Sequence, residues 1–230
     1  MVVGCAVNRA PAITIIVNVD GDQADLSGGT GLCDIDSFFN GLQCTLRAAI
    51  QTANATAGTD TIMFSIGSGI KTIAPSSQLP LITEAVNIDG FTQKIIIRDR
   101  EVDCHAQLDH PCIEISGAGA GVTSGLTVLT SGCTVRGLVI NGFSGHGIAV
   151  LGSNNLIGPN YIGTNVTGDA PIGNLGSGIA VTGNNNLIGG APVAGIRQVI
   201  SGNGTDFPEG GITISGQGSA GNRIEGNQAA

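Results

Sequence analysis

Short runs in which aliphatic residues alternate with small or polar ones recur along the chain, each closed by glycine or asparagine. Three share one phrase: Gly145-His146-Gly147-Ile148-Ala149-Val150 leads to Asn155-Leu156-Ile157-Gly158, Gly176-Ser177-Gly178-Ile179-Ala180-Val181 leads to Asn186-Leu187-Ile188-Gly189, and Gly210-Gly211-Ile212-Thr213-Ile214 leads to Asn222-Arg223-Ile224-Glu225-Gly226-Asn227. The frames at Gly147, Gly178 and Gly211 are 31 and 33 residues apart, a spacing that marks a repeat architecture. Within each phrase Ile-x-Val or Ile-x-Ile places two aliphatic side chains on one face of a short strand. Glycine and asparagine fall where the chain turns, because both tolerate the left-handed backbone region.

The same polarity of strand recurs in the same order with the same corner residues, which predicts repetition by translation rather than reversal. Each strand then pairs with its counterpart one turn on, about 4.8 Å away, and Asn and Ile ladders follow. The expected fold is all-β, a right-handed parallel β-helix. Gly125-Leu126-Thr127-Val128, the run Cys133 to Ile140 and the run Arg197 to Asn203 fit as further faces, and Thr61-Ile62-Met63-Phe64, Lys71-Thr72-Ile73 and Val86-Asn87-Ile88-Asp89-Gly90 supply earlier strands. At roughly 20 to 30 residues per turn, residues 60–230 make about six to eight turns. Residues 1–59 read as an amino-terminal cap region: from Thr45 to Ala55 the residues Leu46, Ala49, Ile50 and Ala53 share one face of an amphipathic helix with Thr45 as its N-cap. Such a helix suits the lid that a solenoid needs over its end.

Composition narrows the class. Of 230 residues 41% are apolar and 11% charged, against a usual charged share of about 25%, a profile unlike that of a disordered chain. With no Trp, one Tyr and six Phe, the core must be built from Ile, Val, Leu and Ala. The formal charge of −8 and the lack of a basic stripe argue against a nucleic-acid partner. No run of about 18 uncharged apolar residues predicts a membrane span. Cys33 with Cys44, and Cys104 with Cys112, each enclose a short polar segment and are the expected disulfides of an exported protein. Cys133 reads as a buried free thiol, and Val2-Val3-Gly4-Cys5 is similar to a bacterial lipoprotein cleavage box.

Cys44-Thr45-Leu46-Arg47-Ala48-Ala49-Ile50, then Ala53-Asn54-Ala55 and Asp60-Thr61-Ile62-Met63-Phe64, resembles the CSLREA-type amino-terminal region of large bacterial and archaeal parallel β-helix surface proteins. The stretch Asn160-Tyr161-Ile162-Gly163-Thr164-Asn165-Val166-Thr167-Gly168, continuing through Asn186-Leu187-Ile188-Gly189-Gly190 to Val199-Ile200-Ser201-Gly202-Asn203, resembles repeats of the same proteins. The resemblance implies a pectate-lyase-like fold and a secreted or cell-surface location. One departure is Ala48 in place of the family's Glu, three residues after Thr45, which removes half of a capping box and predicts a weaker cap. Asn222 to Asn227 repeats Asn155 to Asn160, but Gln228-Ala229-Ala230 follows, so the phrase stops part-way; the expectation is a fragment or an end covered by another molecule.

Parallel β-helices often act on polysaccharides, which makes a catalytic site a second expectation. Gly145-His146-Gly147 is similar to the Gly-His-Gly element of polygalacturonases, making His146 the one catalytic candidate. A hydrolase also needs paired carboxylates, and Asp103, Asp109 and Glu114 are the acids of the two preceding turns. Ser177 and Gly210 fill the slot of His146 in later repeats, as a plain turn position would allow. A lyase base would come from Lys71, Lys94, Arg98 or Arg100, but Ile95 to Glu101 has the alternation of a solvated, self-paired surface. Asp20, Asp22 and Asp25, with Asp34 and Asp36 nearby, are the calcium candidates, although EF-hand spacing is missing. Asn54, Asn165 and Asn203 begin glycosylation sequons. The leading expectation is a non-catalytic extracellular structural or adhesive protein with no required cofactor, associating with itself end to end or laterally. The alternative is a polysaccharide lyase, glycosidase or carbohydrate-binding module.

Overall fold

The computed structural model describes residues 11–28, 31–38, 41–118, 121, 124–204, 210–216 and 218–228. The regular structure is mostly β-strand, the greater part of it in three parallel sheets. The first sheet runs β1 (Thr14–Val17), β2 (Asp60–Phe64), β4 (Val86–Asp89), β9 (Thr134–Arg136), β12 (Leu156–Ile157), β15 (Leu187–Gly189) and β18 (Arg223–Glu225). The second runs β3 (Lys71–Ile73), β7 (Ile113–Ser116), β10 (Leu138–Asn141), β13 (Tyr161–Ile162), β16 (Gln198–Ile200) and β19 (Asn227–Gln228). The third runs β8 (Leu126–Val128), β11 (Ile148–Val150), β14 (Ile179–Val181) and β17 (Ile212–Ile214), with Ile82 bridging to Val128 at its start. From β2 onward the chain visits first, second and third sheet in fixed rotation. An antiparallel hairpin of β5 (Lys94–Ile97) and β6 (Arg100–Asp103) stands outside this scheme.

Register explains the repeated phrase. Ile62, Ile88, Val135, Ile157 and Ile188 stack in line on the first sheet and are fully buried. Ile115, Ile140 and Ile162 do the same on the second sheet, and Val128, Val150 and Val181 on the third. Like side chains on like rungs give one continuous aliphatic core. The glycine before each Ile-x-Val permits close stacking: a Cβ on Gly147 would lie 2.7 Å from the Gly178 carbonyl oxygen.

Asparagines close the corners. Asn155 Oδ1 accepts from Cys133 N at 2.7 Å, Asn186 Oδ1 from Asn155 N at 2.9 Å, and Asn222 Oδ1 from Asn186 N at 2.9 Å. These steps span 22, 31 and 36 residues, so loops of different length are absorbed while the ladder keeps its register. A second ladder runs from Phe143 N through Asn174 to Asn203, and a third links Leu138 N, Asn160 and Gln198.

The expected helix is α1 (Leu46–Ala55), and Thr45 Oγ1 accepts from Ala48 N at 3.0 Å as its N-cap. Ala48 offers no side chain in return and is itself core, while the Thr45 hydroxyl donates to Gln23 O at 2.6 Å. Leu46, Ala49, Ile50 and Ala53 are buried, and α1 packs on β1 and β2. Strand β1 carried no sequence expectation of its own, yet pairs in parallel with β2, its Ile15 and Val17 facing the core. Cys33–Cys44 and Cys104–Cys112 sit at disulfide distance, with Cα separations of 5.3 and 6.2 Å, and Cys133 is a buried free thiol. The lipoprotein-like Cys5 lies outside the described residues.

Part of the outer face of the second sheet is covered. Val139, Tyr161 and Val199 stack in register, and Phe91 and Ile196 pack over them as a second apolar cluster. Phe91 follows Asp89 in a 3-10 turn, and its ring meets His105 at 4.6 Å. His105 belongs to α2 (Cys104–Leu108), held at its start by the Cys104–Cys112 bridge.

Candidate functional site

The structure separates the residues singled out for catalysis. His146 precedes β11 in the third sheet, and its Nδ1 accepts from Ser177 N at 3.0 Å, which ties one pass to the next. Glu114 lies on the second sheet and accepts from Thr72 Oγ1 at 2.6 Å and Asn141 Nδ2 at 2.8 Å. Asp103 ends the hairpin and pairs with Lys94, whose hydrogen bond holds the carboxyl below its usual range against the opposing effect of burial. Asp109 is the left-handed C-cap of α2. Arg98 and Asp99, at φ 48° and 60°, form the tip of an exposed hairpin, so this charged run faces solvent. Lys71 opens β3.

The acidic loop is likewise committed to structure. Asp22 takes Arg47 through both oxygens, at 2.9 and 3.0 Å, and accepts from Ser76 N and Oγ at 2.8 and 2.7 Å. Burial pushes its carboxyl up, but the Arg47 and Ser76 hydrogen bonds outweigh it and hold it below the usual range. Asp25 accepts from Ser27 N and Oγ and from Thr52 Oγ1, with the same balance of burial against hydrogen bonds and the same downward direction. Asp34 accepts from Gln43 N at 3.2 Å and Asp36 from Phe38 N at 2.6 Å. Among the described residues no three His, Cys, Asp or Glu side chains gather as a metal site, so Asp20, Asp22 and Asp25 are not brought together as one. Of the sequon asparagines, Asn54 bonds Leu81 O and Thr83 N, Asn165 bonds Asp169, and Asn203 belongs to a ladder, its Thr205 lying outside the described residues.

What the sequence reading missed is a furrow on the outer face of the first sheet. Thr61, Asn87 and Thr134 stand side by side on β2, β4 and β9, and Leu156 and Leu187 continue the row on β12 and β15. The neighbouring row carries Asp89 and Arg136, joined at 2.6 Å, with Asp89 also accepting from Phe91 N at 3.1 Å. The polar half of the furrow encloses about 390 Å³. Beyond Arg136 an adjoining hollow of about 270 Å³ is walled by Leu156, Leu187, Pro159, Pro192 and Val193. Among the described residues, none takes or gives a hydrogen bond to the side chains of Thr61, Asn87 or Thr134. The signal was present in the sequence as the polar positions of alternating strands, but which of them become neighbours depends on register across passes of unequal length.

Comparisons with protein-family models, curated proteins and solved structures find no match. Among the described residues no helix is long and apolar enough to cross a membrane.

Proposed function

We propose that this chain is an extracellular or cell-surface scaffold of adhesive type, without catalytic activity, built as a closed right-handed parallel β-helix of the CSLREA kind. The right hand follows from the rule for parallel crossover connections, and the stacked Asn and Ile rungs support closure. Two cysteine pairs at disulfide distance, each around a short loop, support an oxidising compartment. The observation that carries the reading is how the titratable side chains are used. His146, Glu114, Asp22 and Asp25 each bond a neighbouring pass or loop, so their chemistry serves stacking rather than a reacting substrate.

Incubation with a panel of neutral and uronate polysaccharides tests it. No reducing ends and no unsaturated uronates are expected to appear, with or without calcium. Release that disappears in His146→Ala, or on chelation, overturns the reading in favour of a glycosidase or lyase. Self-association belongs to the same proposal. Light scattering in dilute solution showing only monomer removes that part.

A further inference from the structure

An adhesive scaffold needs a ligand, and the furrow on the first sheet has the chemistry to choose one. We propose that this furrow binds a neutral polysaccharide in extended form, an inference that rests on the surface-scaffold reading above.

Three features point to that class. The row Thr61–Asn87–Thr134 offers two hydroxyls and an amide, unused within the described protein and fixed on paired strands. Successive rungs lie about 4.8 Å apart, close to the advance per ring of an extended pyranose chain, so consecutive sugars meet consecutive side chains. Beyond Arg136, Leu156 and Leu187 with Pro159 and Pro192 supply an apolar wall for the C–H faces of sugar rings.

Charge selects neutral over acidic chains. Arg136 is already paired with Asp89, and together they present N–H donors and carboxylate lone pairs to adjacent hydroxyls. The chain carries a formal charge of −8, which repels a polyanion. A peptide strand is disfavoured because the furrow is a sheet face, whose main-chain groups already bond neighbouring strands.

Gel electrophoresis of the whole chain through soluble mixed-linkage glucan, galactomannan, xyloglucan and polygalacturonate tests the proposal. At least one neutral polymer is expected to retard the protein, and Asn87→Leu, Thr134→Val and Leu156→Asp are each expected to weaken that retardation about tenfold, the scale of one lost contact. Ala149→Ser, on the outer row of the third sheet, is expected to leave it unchanged. Melting curves check that each variant folds. Independently of any variant, amide exchange of the unaltered protein with the retarding oligosaccharide is expected to show protection at residues 86–89 and 134–136. No retardation by any neutral polymer overturns the proposal, as does retardation by polygalacturonate alone or retardation indifferent to all three furrow substitutions. Release of reducing ends from a bound polymer instead overturns the non-catalytic reading while the groove stands.

Discussion

The early and late passes of this molecule are held together by different chemistry. From β8 onward, successive levels are joined by asparagine amides that repeat the same bond at each corner, as Asn155, Asn186 and Asn222 do. The early levels use a different residue for each task. Asp60 fastens Ile13 N, Asp22 fastens Arg47 and Ser76, and buried Gln93 bonds Ile66 through both its N–H and its carbonyl. Early partners such as Ile13 with Asp60 and Asp89 with Arg136 are 47 residues apart, with a helix or a hairpin in between. The late steps of 22, 31 and 36 residues bring equivalent asparagine corners together, and there one residue type hands the same bond along the stack.

Breaking one amide in the late ladder is expected to have the largest effect. Asn186 is 1% exposed, bonds Asn155 N and Gly152 O, and meets Asn222. Asn186→Ala is expected to lower stability by about 3 kcal/mol, since it leaves buried partners unpaired, and the urea midpoint measures it. An effect under about 1 kcal/mol would mean that the aliphatic rungs alone hold the late passes. Removing the Cys33–Cys44 bridge, as the double Ser variant, is expected to cost about 2–3 kcal/mol, with exchange protection falling first in residues 42–55. Equal loss of protection in the late passes would erase the distinction between the two halves.

Acid sharpens the contrast. Asp22 and Asp25 have carboxyls held below their unfolded value of 3.8, so their contribution is fully present above that pH and is lost as pH falls through the lower folded values. The cap region is therefore expected to open before the asparagine-linked passes below about pH 3.8. Asp22→Asn is expected to cost about 1–2 kcal/mol near neutral pH and to flatten that acid limb; a wild-type acid limb would refute the assignment. The smallest effect belongs to the hairpin. Arg98 has φ of 48°, and Arg98→Gly is expected to raise stability by about 0.5 kcal/mol because glycine takes that conformation without strain.

Much of this architecture was legible in the residues. Ile148, Ile179 and Ile212 pair as the repeat required, and Thr45 caps the helix read from Leu46, Ala49, Ile50 and Ala53. Strand β1 was harder, because its partner lies beyond an intervening helix and disulfide loop, and Thr-Ile-Ile-Val alone does not name one. The hairpin at 94–103 was visible only as alternating charge, since Arg98-Asp99 lacks the glycine that usually marks such a turn. The furrow could not be read from any single repeat. Asn87 and Thr134 are 47 positions apart in the chain and become neighbours only after the excursion from Gly90 to Cys112 is folded aside.

The unequal spacing of the corner asparagines has a practical meaning. Material such as the hairpin can sit between two strands without disturbing the levels above and below, because bonding passes between aligned rungs and not along the connecting chain. The scaffold can therefore acquire new surface decorations while its own geometry stays constant.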